Sequence, residues 1–146
     1  MDWRKMSIER LRDYENRKRA LELIPEQIET LEMNFTAIRS ASSDSTPVKG
    51  GSGNKREDAL INNIAKREEL ERNLGIAEAE VRITETALAT LTDEERTVLY
   101  KFFINRPRRH IEELCEQLCY EKTRVYEIKD NALRKFTLSC YGIVEI

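Results

Sequence analysis

The residues with the most chemical potential lie in the last third of the chain. Lys122, Thr123 and Arg124 stand in a row, and Tyr126, Glu127 and Lys129 follow at spacings that put them on the outward side of a helix starting at Lys122. Arg106, Arg108 and Arg109 form a short basic run just upstream. These groups suit nucleic acid. Arg124 offers the planar fork that matches O6 and N7 of guanine, and Lys122 reaches guanine or a phosphate. Glu127 would accept from a cytosine amino group, and Thr123 would touch a thymine methyl or a phosphate. Arg106, Arg108 and Arg109 would neutralise backbone phosphates beside the groove.

Three short helical patterns would hold these side chains. Thr92-Asp93-Glu94-Glu95 opens the first as a capping box: the Thr92 hydroxyl accepts from the Glu95 N–H while the Glu95 carboxylate reaches back. Val98, Leu99, Phe102 and Phe103 give it one apolar face, and Asn105-Arg106-Pro107 ends it, because the residue before proline is pushed out of the helical region. The second helix is predicted over His110 to Leu118, with Ile111, Leu114, Cys115 and Leu118 inward. Cys119-Tyr120-Glu121 forms the turn. The third helix is predicted from Lys122 to about Phe136, with Val125, Ile128, Ala132, Leu133 and Phe136 inward. Two helices about such a turn form a helix-turn-helix, whose second helix lies in the major groove and reads base edges with its first residues.

The stretch Leu91-Thr92-(x)2-Glu95-Arg96-x-Val98-Leu99, then Ile111-Glu112-Glu113-Leu114, then Val125-x-x-Ile128-x-x-x-Ala132-Leu133-Arg134-Lys135-Phe136 resembles region 4 of bacterial sigma factors, which reads the −35 promoter element. It covers about a third of the chain. The resemblance implies base readers at Lys122, Thr123, Arg124, Tyr126 and Glu127. The wider layout, a charged helical half followed by a sigma-like module, is similar to phage regulators of the ArpU/RinA type. That implies a phage-encoded protein controlling late packaging and lysis operons. The chain departs from the sigma pattern at Cys119, where glycine often holds the turn, and at Glu127, where glutamine is common, so different bases should be read. No core-polymerase-binding region precedes the module, which argues against a complete sigma factor.

The N-terminal part reads as an arm. Leu21, Ile24, Ile28, Leu31, Phe35 and Ile38 alternate steps of three and four, the seam of a coiled coil or helical hairpin, over a first segment of residues 1–39. Pro25 predicts a kink or restart within it. Residues 40–54, rich in Ser and Gly, predict a flexible linker. Their Gly50-Gly51-Ser52-Gly53-Asn54-Lys55 run lacks the spacing of a phosphate-binding glycine loop. A second long helix is predicted over residues 55–91, its seam carried by Leu70, Leu74, Ala77, Val81, Thr84, Leu88 and Leu91 and extended towards the N-terminal end by Leu60 and Ile64, with Gly75 costing about 1 kcal/mol relative to alanine. Residues 92–146 then form the helix-turn-helix domain. Two such seams predict an antiparallel pair, or a dimer built from pairs.

Composition narrows the function classes. With 25 Lys and Arg against 27 Asp and Glu in 146 residues, the chain is no uniformly basic nucleic-acid coat, so DNA contact needs a local patch. Three cysteines are not a disulfide framework, and His110, Cys115 and Cys119 lack a CxxC pair and a fourth ligand, so these residues read as structural. Cys140 reads as a free thiol near an exposed end. No membrane-length apolar run and no secretory leader pattern occur, so a cytoplasmic protein is expected, and the resemblance to phage regulators implies that the cytoplasm is that of a bacterial host. No catalytic constellation or cofactor motif stands out. The expectation is an all-α regulator that binds double-stranded promoter or operator DNA, forms a homodimer through its helical arm, and has bacterial RNA polymerase as a further partner. A DNA-packaging factor such as a small terminase subunit, or a sigma-like module that binds polymerase alone, are the alternatives.

Overall fold

A computed structural model of the chain describes residues 1–44 and 52–143. The fold is all-α. Among the described residues there are five α-helices, α1 (Trp3–Asp44), α2 (Ser52–Ala89), α3 (Asp93–Leu99), α4 (His110–Leu118) and α5 (Lys122–Tyr141), a π-helical turn at Tyr100–Ile104, and no strand.

The linker expected over residues 40–54 is shorter than its composition suggests. α1 continues to Asp44 and α2 begins at Ser52; the rest of that segment, 45–51, lies outside the described residues. Once a helix is nucleated, each added residue gains a hydrogen bond for little further ordering, so serines extend an end that would not start one. Pro25 does not divide α1 into two helices. Its ring is exposed while Ile24 and Ile28 are half-buried, so seam packing on both sides offsets a local cost of about 3 kcal/mol.

The chain divides into two compact units. One comprises Met1–Lys18 with Ala79–Ile146, the other Arg19–Glu78. The start of α1 and the end of α2 therefore belong with the C-terminal helices. In that unit Leu11, Val98, Leu99, Leu114, Val125, Ala132 and Phe136 are completely buried. The α1 start is tied down by polar and aromatic contacts: Arg10 pairs with Glu80, its Nε donates to the Tyr141 hydroxyl at 3.2 Å, and the Trp3 and Tyr141 rings lie 5.0 Å apart. Arg17 meets the same Glu80 carboxylate at 3.2 Å.

In the Arg19–Glu78 unit the two helical segments lie along each other. Leu21, Ile24, Ile28, Leu31, Phe35 and Ile38 on one segment and Leu60, Leu70 and Leu74 on the other are all half-buried, whereas Ile64, expected in the same stripe, is exposed because it lies off the buried side that Asn63 occupies. Asn63 is buried in this seam, where its amide donates to the Leu31 carbonyl at 2.8 Å and its oxygen accepts from Arg67 Nε at 2.9 Å.

Candidate nucleic-acid interface

α3 opens with the capping box expected from its sequence: the Glu95 N–H donates to Thr92 Oγ1 at 3.2 Å and the Thr92 N–H to Glu95 Oε1 at 3.1 Å. Burial opposes ionisation of Glu95, but Lys135 at 2.9 Å and the Thr92 donors overcome it and hold its carboxyl below the usual range. The first helix does not run as a plain α-helix to Asn105. It switches at Tyr100, and the Asn105 N–H reaches the Tyr100 carbonyl, five residues back, at 2.8 Å. The wider turn changes the helical phase, so that Phe102 and Ile104 are buried while Phe103 is half-buried.

α4 and α5 are joined through Cys119, which sits in the left-handed region at φ 58°, the conformation that glycine adopts without cost. Val98, Phe102, Leu114, Val125 and Ile128 form the core beneath the two helices, with Ile111, Cys115 and Leu118 packed against it. α5 runs on to Tyr141, where Gly142 at φ 71° ends it by donating to the Leu138 carbonyl at 2.8 Å.

The first turn of α5 has no side-chain cap from Glu121, so its leading N–H groups stay open beside the exposed Lys122, Thr123 and Arg124. Lys122 has no ion-pair partner among the described residues. Arg124 lies over the Tyr120 ring at 5.8 Å and reaches Glu127 Oε2 at 3.3 Å, with half its side chain still in solvent. The nearby Glu94 carboxylate pushes the ionisation of the Tyr120 hydroxyl up. Tyr126 is exposed at its outer side and meets Phe102 edge-on at 5.8 Å. Lys129 is placed differently from the others. Its side chain is 16% exposed, its Nζ lies 5.7 Å and 5.5 Å from the Phe102 and Tyr126 ring centres, and it pairs with Asp130 at 2.9 Å. It is folded onto the aromatic surface and does not project with Arg124.

The arginine loop connects to this face through one buried imidazole. Arg106 Nε donates to His110 Nδ1 at 3.3 Å, so the His110 proton sits on Nε2. His110 stands edge-on to Phe102 at 4.9 Å. Burial, together with the Arg106 charge, lowers its pKa. Arg109 pairs with Glu112 at 2.7 Å and remains largely exposed. Arg108 is exposed and has no partner among the described residues. Phe102 thus touches His110, Tyr126 and Lys129, linking loop and helix. From the sequence alone it reads only as core; its phase relative to Tyr126 depends on the π turn, which carries no sequence signal of its own. Tyr120 likewise reads only as part of the turn, although an aromatic four residues before Arg124 is a usable signal for a stacked guanidinium.

Other chemistry is sparse. Cys115, Cys119 and Cys140 are free thiols, and no group of three His, Cys, Asp or Glu side chains among the described residues is placed to hold a metal ion. Cys140 is half-buried, not at an exposed end; burial pushes its thiol up to about 11 and suppresses thiolate reactivity. No described helix is long and apolar enough to cross a membrane. The chain matches no protein-family model, no curated protein and no solved structure.

Proposed function

We propose that this chain is a sequence-specific DNA-binding regulator of transcription, with α4 and α5 as its helix-turn-helix. The observation that carries this reading is the α5 start: Lys122, Thr123, Arg124, Tyr126 and Glu127 are all exposed on a helix whose opposite face is locked into a buried core. A reader helix needs that combination of open polar face and rigid support. The Arg106, Arg108 and Arg109 loop supplies phosphate contacts. A dimer through the helical arm would present two such helices to half-sites about one DNA turn apart, which raises the affinity of a module with few cations. The assignment to phage late operons, with bacterial RNA polymerase as a partner, rests on the resemblance to sigma region 4 and to ArpU/RinA regulators. Its cellular setting would be the bacterial cytoplasm.

The test is a footprint. Purified protein is incubated at low salt with the DNA surrounding its own gene, and protection of one defined stretch is expected. Uniform protection, or none at high dose, overturns the reading. Co-purification of polymerase without any DNA shift would instead indicate a protein-interaction module, and a ring of many subunits would indicate a packaging factor.

A further inference from the structure

Tyr120, Arg124 and Glu127 form one assembly at the start of α5. Tyr120 comes from the turn and is half-buried, its side chain packed against the core of Val98, Phe102, Leu114, Val125 and Ile128. That anchoring makes its ring a fixed platform, and the Arg124 guanidinium carbon lies 5.8 Å from the ring centre. Three residues further along the helix, Glu127 Oε2 accepts from Arg124 Nη1 at 3.3 Å. The Arg124 and Glu127 side chains are 52% and 58% exposed, so the assembly is open to a ligand. A guanidinium offers its donors along edges. With Nη1 engaged by Glu127, the edge formed by Nε and Nη2 remains, and neither nitrogen has a hydrogen-bond partner among the described residues. Those two N–H groups run parallel, the arrangement that fits two acceptors side by side, such as N7 and O6 of guanine.

We propose that Tyr120 and Glu127 are positioning residues, and that the assembly reads one guanine through the Nε–Nη2 edge of Arg124 while Glu127 contacts no base of its own. Taken alone, Glu127 suits a cytosine amino group. Beside Arg124 it has a stronger donor, because a charge-assisted bond to a guanidinium outcompetes one to a neutral amino group. Releasing Arg124 would also leave a bare carboxylate among the phosphates that line a groove, a like-charge arrangement that opposes binding. Paired, the carboxylate is neutralised and the open edge of Arg124 carries the recognition. The Tyr120 ring and the acceptor at one edge restrict the long side chain before binding, which lowers the ordering cost of the contact. Each hold is weak, so together they bias the guanidinium without locking it. The inference deepens the regulator reading and rests on it: it names which exposed group reads a base and which residues serve it.

Selection from a random duplex pool, run with the full chain, tests it. In the wild type one guanine should be strongly preferred, and that preference should be lost in Arg124→Ala. Glu127→Ala should weaken the preference for the same guanine by about two- to fivefold and leave every other position unchanged. Glu127→Gln should keep most of it, since its amide oxygen still accepts from Nη1. In the Arg124→Ala background, Glu127→Ala should have no further effect on base preference. In the free protein the Tyr120 ring should displace the Arg124 Hδ resonances in NMR spectra, and Tyr120→Leu should abolish the displacement. If Glu127→Ala loses preference at a different base pair, or adds a further loss to Arg124→Ala, Glu127 reads its own base and the proposal is overturned. Unperturbed Arg124 Hδ resonances in the wild type would overturn it as well. An enriched site whose guanine preference is untouched by Glu127→Ala ends this inference alone; a pool without any enriched site ends the regulator reading and this inference together.

Discussion

Replacing Arg124 with alanine should separate base reading from phosphate attraction. In the free protein the guanidinium is held by Glu127 at 3.3 Å and by the Tyr120 ring at 5.8 Å, yet 52% of its side chain is exposed. An exposed pair three residues apart on a helix contributes about 0.2–0.5 kcal/mol, so folding stability should barely change. That weak hold also means the side chain yields readily to a better partner. A bidentate contact to guanine discriminates by about 1–3 kcal/mol, which corresponds to roughly five- to 150-fold in affinity per half-site. Arg108→Ala removes an exposed cation with no partner among the described residues and should act differently. It should weaken binding to all sequences alike and reduce the slope of log affinity against log salt by about 0.9 for each phosphate that is no longer neutralised. The assay is selection from a random duplex pool, followed by anisotropy titrations on the selected site and its single-base variants at several salt concentrations. Arg124→Ala should lose preference at one base position with little change in slope. If the two variants lose affinity equally across all sequences, or if Arg124→Ala keeps the wild-type base preference, α5 does not read bases with this side chain.

Three further outcomes are expected. The His110 pKa is depressed in the folded state, so the unfolded chain takes up its proton first; stability should be full above the unfolded value of about 6.5 and fall as pH drops below it, a trend that thermal melts should find absent in His110→Gln. Cys119→Gly relieves the left-handed backbone strain of about 1–2 kcal/mol but adds unfolded-state entropy, so urea melts should show a net gain of roughly 0.5–1 kcal/mol, whereas Cys119→Val should lose stability. Ser7 is completely buried and its hydroxyl has no hydrogen-bond partner among the described residues, so Ser7→Ala should raise stability by about 1 kcal/mol, and a clear loss would show that the hydroxyl is satisfied in solution.

The elements legible in the sequence are those whose signal is local. Thr92 and Glu95 specify their capping box by chemistry three residues apart, and the observed bonds follow it. The bounds of α4 and the start of α5 follow from apolar periodicity, and Val125, Ile128, Ala132, Leu133 and Phe136 are buried as that periodicity requires. The departure from the sigma pattern at Cys119 corresponds to a positive φ, because a three-residue turn of this kind needs a left-handed residue whatever its side chain. Pro25 and the ends of α1 and α2 depart from expectation for the opposite reason. Composition reports intrinsic propensity, while Pro25 is carried by seam packing on both sides and the end of α1 by propagation from an already formed helix.

Placement of the proposed reading side chains shows the same division more sharply. On a helical wheel Lys129 stands about 140° from Arg124, between the buried positions Val125 and Leu133, so its outward assignment fails on helical phase. The neighbours of the two side chains differ accordingly. Tyr120 lies under Arg124 and leaves half of it in solvent, whereas Phe102 and Tyr126 draw Lys129 inward, where Asp130 pairs with its ammonium. Phe102 lies within the π turn, and it also stands against His110, the acceptor that holds Arg106. Lys129 is therefore better suited to fixing the Tyr126 ring than to meeting a phosphate. Arg106, tethered to a buried imidazole, has a more defined position than the untethered Arg108. In the proposed interface, Arg106, Tyr126 and Arg124, all seated on aromatic or imidazole rings, would form the preorganised part, and the untethered cations Lys122 and Arg108 would supply attraction around it.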